Sequence, residues 1–273
     1  MLKKIIRIVL LVVTAHPVVA NTQFADVNDV TLAYEDSGAG DVIVVFDAGF
    51  GTPKTTWQHV VEKMKPSVRT VLYSRAGIGQ SSSAQSVRSI TQHVDDLRSL
   101  LKHLGIRQPI VYVSHSYSGL MAAEFAKSYP KQLQGLLLID PATFAQRHQF
   151  KKADKARVER DDQMLVRYMP PSMVADYQFL VAQLQSAPEN VMALPSSIPT
   201  TILTASAASK QPFVFSETIL GREIWVELHK ALISNPAIQT QYLLGSSDHN
   251  IHQKNPAFVV DTINELIERT SLQ

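Results

Sequence analysis

The feature that most constrains this chain is a succession of short, almost wholly apolar runs separated by helical stretches. Residues 42–46 (VIVVF), 68–73, 110–113, 136–139, 200–204 and 242–244 are rich in Leu and β-branched residues and are bounded by Gly, Pro or Asp. A strand covered on both faces must be apolar along its whole length, because neither side of the pleat meets water. Helical segments between such runs predict a mostly parallel sheet with helices on both faces. Residues 29–35 alternate apolar and polar, which predicts an antiparallel edge strand.

The intervening helices carry their own signals. Ile90, Val94, Leu97, Leu101 and Leu104 recur at three- and four-residue steps and form one apolar stripe. Ser89 with Gln92 reads as a capping box, and Gly105 as a stop. Asn255 before Pro256 marks the start of the last helix, which buries Val259, Val260, Ile263, Leu266 and Ile267. Residues 143–197 break the rhythm and are too long for a simple connection. They are charged at first, then amphipathic, and predict a helical lid over the carboxyl end of the sheet. The expected division is a core of residues 21–142 and 198–273 with a lid of 143–197.

Residues 1–20 read as a secretory signal peptide. Lys3, Lys4 and Arg7 open it, residues 8–15 are apolar, and Val18 and Ala20 precede the expected cleavage before Asn21. The apolar run is shorter than the ~20 residues that cross a bilayer. The expected location is periplasmic or secreted, with no stable membrane anchor after removal. The full chain carries 26 basic and 24 acidic residues. Without the signal's three cations the balance is 23 against 24, a net −1, which leaves no basic footprint for nucleic acid. The sequence has no cysteine, so disulfides, thiolate metal sites and a cysteine nucleophile are excluded.

One segment carries chemistry. Ser114-His115-Ser116-Tyr117-Ser118-Gly119 follows the strand PIVYV and precedes a helix. Strand, tight turn and helix make a nucleophile elbow, which exposes Ser116 at the sheet's carboxyl edge and at a helix N-terminus. Such a turn needs small residues two before and two after the nucleophile. Here they are Ser114 and Ser118 rather than glycine.

The chain resembles the α/β-hydrolase superfamily, as a serine esterase- or lipase-like member. The likeness rests on Asp47-Ala48-Gly49-Phe50-Gly51, Ser74-Arg75-Ala76-Gly77-Ile78-Gly79-Gln80-Ser81, the elbow, and a histidine segment, all in the family's order. The second segment is similar to the family's Asp-Arg-x-Gly-x-Gly-x-Ser turn, with Ser74 in place of aspartate. The resemblance implies an eight-stranded, mostly parallel sheet and a hydrolytic triad. It also implies an oxyanion hole from the backbone N–H groups of Tyr117 and Phe50. Ala48 stands where the family usually carries histidine, which leaves the bracing of that loop open.

The expected base is His249, in the loop after the last strand, with a helix-starting proline beyond it. Asp248, His249 and His252 as metal ligands is the weaker alternative, since a third well-spaced partner is lacking. The expected acid is Asp140, at the end of the strand after the nucleophile helix. Glu217 and Asp248 are its rivals. The commonest family position, after TTILT, holds no carboxylate.

The expected activity is hydrolysis of a small or medium-sized carboxylic ester through an acyl-enzyme on Ser116, without metal or organic cofactor. Lactone, thioester and amide cleavage stay open, as does a catalytically silent binding protein on the same fold. Met164, Leu165, Tyr168, Met169, Met173, Phe179 and Leu180 of the lid, with Phe50 and Tyr117, are candidates to line an apolar pocket.

Overall fold

A computed structural model describes residues 21–271; the expected signal peptide lies outside them. Eight strands form one sheet: β1 (Gln23–Val27), β2 (Val30–Ser37), β3 (Ile43–Asp47), β4 (Arg69–Tyr73), β5 (Ile110–His115), β6 (Leu133–Ile139), β7 (Thr200–Ala205) and β8 (Gln239–Leu244). Their order is β1-β2-β4-β3-β5-β6-β7-β8. The first two pairings are antiparallel and the remainder parallel. The edge expected over residues 29–35 is a hairpin of two strands, turning at Asn28, whose φ of 52° suits asparagine.

Helices α1 (Gln58–Val61), α2 (Ile90–His103), α3 (Ser118–Ser128), α4 (Gln146–Tyr168), α5 (Pro171–Ser186), α6 (Ile219–Lys230), α7 (Ile251–Lys254) and α8 (Pro256–Ser271) fill the connections. The two residues of each alternating pair in β3 and β5 enter different cores. Val44, Phe46, Val111 and Val113 face Trp57, Val259, Ile263 and Leu266 on one side. Val45 and Tyr112 face Leu97, Leu100, Leu120 and Phe125 on the other. Every residue of β3, β5 and β7 is buried, which is why those runs read as mostly apolar or β-branched.

The helix ends follow their sequence signals. The Ser89 and Gln92 side chains each accept from the other's backbone N–H, completing the capping box of α2. Beyond α2, Gly105 takes a φ of 68° and the Ile106 N–H returns to the Leu101 carbonyl at 2.9 Å, a Schellman closure.

Residues 143–197 contain α4 and α5. Helix α4 is interrupted at Asp154, whose φ/ψ of −154°/84° is non-helical. Its Phe150 ring stacks on Trp225 of α6 at 5.8 Å, and Asp161 accepts from the Phe215 N–H at 2.5 Å. This segment is thus docked through Phe150, Val158 and Leu184, which are buried. Tyr168, one of the expected pocket residues, is instead 70% exposed.

Candidate active site

Strand β5 delivers Ser116 into a turn that few side chains tolerate. Its φ is 54°, in the left-handed region, where a non-glycine residue is strained by roughly 1–3 kcal/mol. Three hydrogen bonds hold the turn. The Ser116 N–H donates to the Ile139 carbonyl at 3.0 Å, and its own carbonyl accepts from Gly119 and Ala142, each at 2.8 Å. Ser118 replaces the expected glycine without a clash and adds bonds of its own. Its hydroxyl lies 2.9 Å from the carbonyl oxygens of Asp47 and His115, and accepts from the His115 N–H at 2.8 Å. The glycine that close approach requires is one place later. A Cβ on Gly119 would stand 2.5 Å from that of Pro141, so only hydrogen fits.

The loop after β8 carries His249 to this turn. Its Nε2 lies 2.8 Å from Ser116 Oγ and its Nδ1 lies 2.6 Å from Asp140 Oδ2. A carboxylate only accepts, so Nδ1 carries the proton and Nε2 is left bare toward the serine hydroxyl. Asp140 follows β6 with a φ of 43°. Among the described residues, only Asn28, Ser116 and Asp140 are non-glycine residues with positive φ, so two of the three strained positions meet here.

Asp140 is fully buried and accepts four hydrogen bonds. Oδ1 receives the Ala205 N–H at 3.0 Å and Trp225 Nε1 at 2.8 Å. Oδ2 receives Arg222 Nη1 at 3.0 Å besides His249. Burial alone would raise its pKa. The His249 hydrogen bond and charge, with His229 and Arg222, outweigh burial and hold the carboxyl well below the usual range. The rivals do not reach the imidazole. Glu217 accepts from the Phe213 N–H at 2.7 Å in its own loop, and Asp248 pairs with Lys254.

Helix α6 supplies Arg222 and Trp225 to that carboxylate, and its first turn is set by the Thr218 hydroxyl accepting from the Gly221 N–H. The same helix buries His229, which donates from Nε2 to the Pro141 carbonyl at 2.7 Å and accepts from Thr204 at Nδ1, 2.8 Å away. Burial pushes its pKa down to about 4, so it stays neutral beside Asp140. These supports had no local signature. Residues 218–230 give the cap and stripe of an ordinary helix, and only the fold brings them beneath Asp140.

The loop after β3 is braced by a residue from the second motif. Arg75 is buried and its guanidinium donates to Asp47, to the Ala48 carbonyl at 2.7 Å and to the Gly49 carbonyl. Tyr73 and Tyr112 donate to the other Asp47 oxygen at 2.7 and 2.8 Å. This network takes the place of the histidine absent at Ala48. Phe50 follows directly, and neither its N–H nor that of Tyr117 has an acceptor among the described residues. Ser74, in place of aspartate, accepts from the Lys54 N–H at 3.0 Å.

His115, directly before Ser116, joins the same cluster. Its ring lies 4.7 Å from that of His249 and 4.3 Å from that of His252, and its Nε2 donates to the His249 carbonyl at 2.9 Å. Burial, and then the two neighbouring imidazoles, push its pKa well below the usual value. His252 turns away from the serine, with Nε2 2.9 Å from the Thr56 hydroxyl. Among the described residues no group of three or more potential ligands gathers as for a metal ion.

Comparisons with known proteins agree with this architecture. The structure of a thermophilic esterase from Thermogutta terrifontis superposes with a TM-score of 0.61 at 20% identity, over 92% of this chain and 99% of that one. A carboxylesterase structure from Nitrososphaera gargenis gives 0.69 at 16% identity, over 92% and 99%. The uncharacterized protein YqjL of Bacillus subtilis is 25% identical over 229 residues, 81% of this chain and 82% of that protein. The family model described as serine aminopeptidase, S33, matches residues 39–211, more than half the chain. With that match, and with the eight-stranded sheet and its helices, the chain belongs to the serine aminopeptidase S33 family of the α/β-hydrolase superfamily.

Proposed function

We propose that this hydrolase is a serine esterase that cleaves small or medium-sized carboxylic esters through an acyl-enzyme on Ser116. The observation that carries the reading is the continuous hydrogen-bonded path from Ser116 Oγ through His249 to Asp140, at 2.8 and 2.6 Å. Ser116 Oγ attacks the ester carbonyl carbon while His249 Nε2 takes its proton. The carbonyl electron pair moves onto oxygen, where the free N–H groups of Phe50 and Tyr117 receive the negative charge. Collapse of the tetrahedral adduct breaks the bond to the alcohol oxygen, which takes the proton from His249. Water then repeats the sequence on the acyl-enzyme and releases the acid. Asp140 remains ionised throughout and stabilises the imidazolium formed in each half.

Lactones, thioesters and amides can use the same covalent route, so the leaving group is read from a substrate panel. A fluorophosphonate probe tests the mechanism itself. The wild-type protein labels once, at Ser116, and Ser116→Ala does not label. A folded wild-type protein that refuses the probe refutes the hydrolase reading and favours a binding role. Export is part of the same proposal: the mature protein recovered from its host begins at Asn21.

A further inference from the structure

A cavity of a kind the sequence did not suggest lies against Phe50 and Tyr117, the latter next to Ser116 in the chain; Ser116 itself is not among its lining residues. About 300 Å³ lies between the loop after β3, the turn following β4, helix α2 and lid helix α5. Phe50 and Tyr117, the residues that bear the two free N–H groups, form its inner wall. Their rings meet edge-on at 5.4 Å. Of the lid residues expected to line an apolar pocket, Met173 alone reaches this cavity, and the remaining walls include Arg75, His93 and Asp176.

Several of these polar groups lack protein partners. His93, on α2, is only 9% exposed; its Nδ1 is sealed from solvent and cavity alike, and its Nε2, which is not sealed, has no hydrogen-bond partner among the described residues. Its ring packs edge-on against Tyr117 at 6.2 Å. The Tyr117 hydroxyl and the Asp176 carboxylate likewise have no hydrogen-bond or ion-pair partner among the described residues. By contrast, the cations nearby are committed, Arg75 to Asp47 and Arg88 to Asp29 and Asp96. Burial holds His93 neutral, with a pKa pushed down to about 3, and raises Tyr117 to about 12. The cavity therefore offers an uncharged imidazole, an uncharged phenol and, at its lid side, one exposed carboxylate.

An unpaired buried polar group is destabilising, by roughly 1–3 kcal/mol, and native proteins keep few of them. A plain alkyl chain in this cavity would displace water and leave the buried His93 and Tyr117 groups without a partner. A hydroxyl has one proton and can also accept, so it pairs with two of them at once, accepting from the Tyr117 phenol while donating to a bare imidazole nitrogen or to the Asp176 carboxylate. We propose that this cavity is a subsite for a hydroxyl-bearing acyl group, so that the enzyme selects hydroxyacyl esters over alkanoyl esters of equal length. This rests on the esterase reading above and adds the substrate class.

The test compares 4-nitrophenyl 3-hydroxybutyrate with 4-nitrophenyl butyrate, and the hydroxyhexanoate with the hexanoate. Each kcat/KM is divided by the ester's spontaneous hydrolysis rate. The wild type favours the hydroxylated member of each pair at least tenfold. His93→Phe, which keeps the ring against Tyr117 but removes both nitrogens, brings the ratio to within about threefold of unity. Asp176→Ala, at an exposed position that does not threaten folding, lowers the ratio as well. A wild-type ratio near one, in protein that the fluorophosphonate labels, overturns the subsite and leaves the esterase reading intact. A ratio unchanged in both variants overturns it equally. Absence of labelling refutes the esterase reading, and the subsite falls with it.

Discussion

Asp140→Asn removes one negative charge and alters one atom, yet the structure makes it a severe change. The carboxylate accepts four donors, two on each oxygen: Ala205 N and Trp225 Nε1 on Oδ1, His249 Nδ1 and Arg222 Nη1 on Oδ2. An amide has one accepting oxygen and one donating nitrogen. With nitrogen toward Ala205 and Trp225, two N–H donors therefore confront the amide's own N–H₂ group in a fully buried site; with nitrogen toward His249, Arg222 does so, and the imidazole too unless it changes tautomer. Each unsatisfied donor costs about 1–3 kcal/mol, so the variant should lose about 1–6 kcal/mol of stability. For a chain of this size that lowers the melting temperature by roughly 2–20 °C, at about 2–4 °C per kcal/mol.

The orientation also sets the chemistry. With nitrogen toward His249, the imidazole must accept at Nδ1 and carry its proton on Nε2, where it can no longer receive one from Ser116. Turnover then falls by about 10⁴. With oxygen toward His249 the tautomer survives but the imidazolium loses its counter-charge, and turnover falls by at least about 10². Urea unfolding followed by circular dichroism measures the first effect. Ester hydrolysis at 20 °C, normalised to protein titrated with the fluorophosphonate, measures the second. Wild-type stability would refute the four-donor argument, and a loss under tenfold in folded protein would remove Asp140 from the catalytic path.

Three further outcomes follow from the same geometry. His115→Phe keeps the packing between His249 and His252 but deletes the donor to the His249 carbonyl, so kcat falls about 10–100-fold with KM little changed; His115→Gln, which retains an N–H, recovers part of the loss, and equal kcat in all three proteins would refute the positioning role. Arg75→Gln breaks a buried ion pair and releases the Ala48 and Gly49 carbonyls, which costs about 3–5 kcal/mol and lowers kcat by about 10² through the Phe50 N–H; an unchanged urea midpoint would show that the loop has another brace. Acid should destabilise the protein early, because burial depresses the pKa values of His229 and His252 to about 4 each. Unfolded histidines titrate near 6.5, so between pH 6.5 and 4 the unfolded chain binds more protons. Stability that is complete above pH 6.5 is then lost on acidification, by about 2 kcal/mol per histidine between pH 7.5 and 5. Urea midpoints that are equal at those two values would contradict it.

Much of the site was legible in the chain because its parts sit at local discontinuities. Ser116 stands where an apolar strand turns sharply into a helix, and His249 where the last strand gives way to a turn. Both are marked by residues a few positions away, so periodicity and small-residue spacing reveal them. Asp140 was legible only as a carboxylate at a strand end in the right chain order, with Glu217 and Asp248 still open beside it. The structure brings Asp140 to His249 and leaves the other two in local contacts of their own.

What the chain determined by itself was the order of strands and helices, the sharp bend at Ser116 and the two-faced core, all consequences of side-chain periodicity and backbone sterics over a few residues. What only the tertiary structure decided was the company those residues keep. Arg222, Trp225 and His229 arrive under Asp140 from more than eighty residues away. Arg75 braces a loop twenty-six residues earlier in the chain, and His93 reaches the wall of a cavity shared with Phe50 and Tyr117. Such contacts leave no trace in local patterning, because hydrogen bonds and desolvation depend on distance in space, and distance in space is set by the packing of the whole sheet.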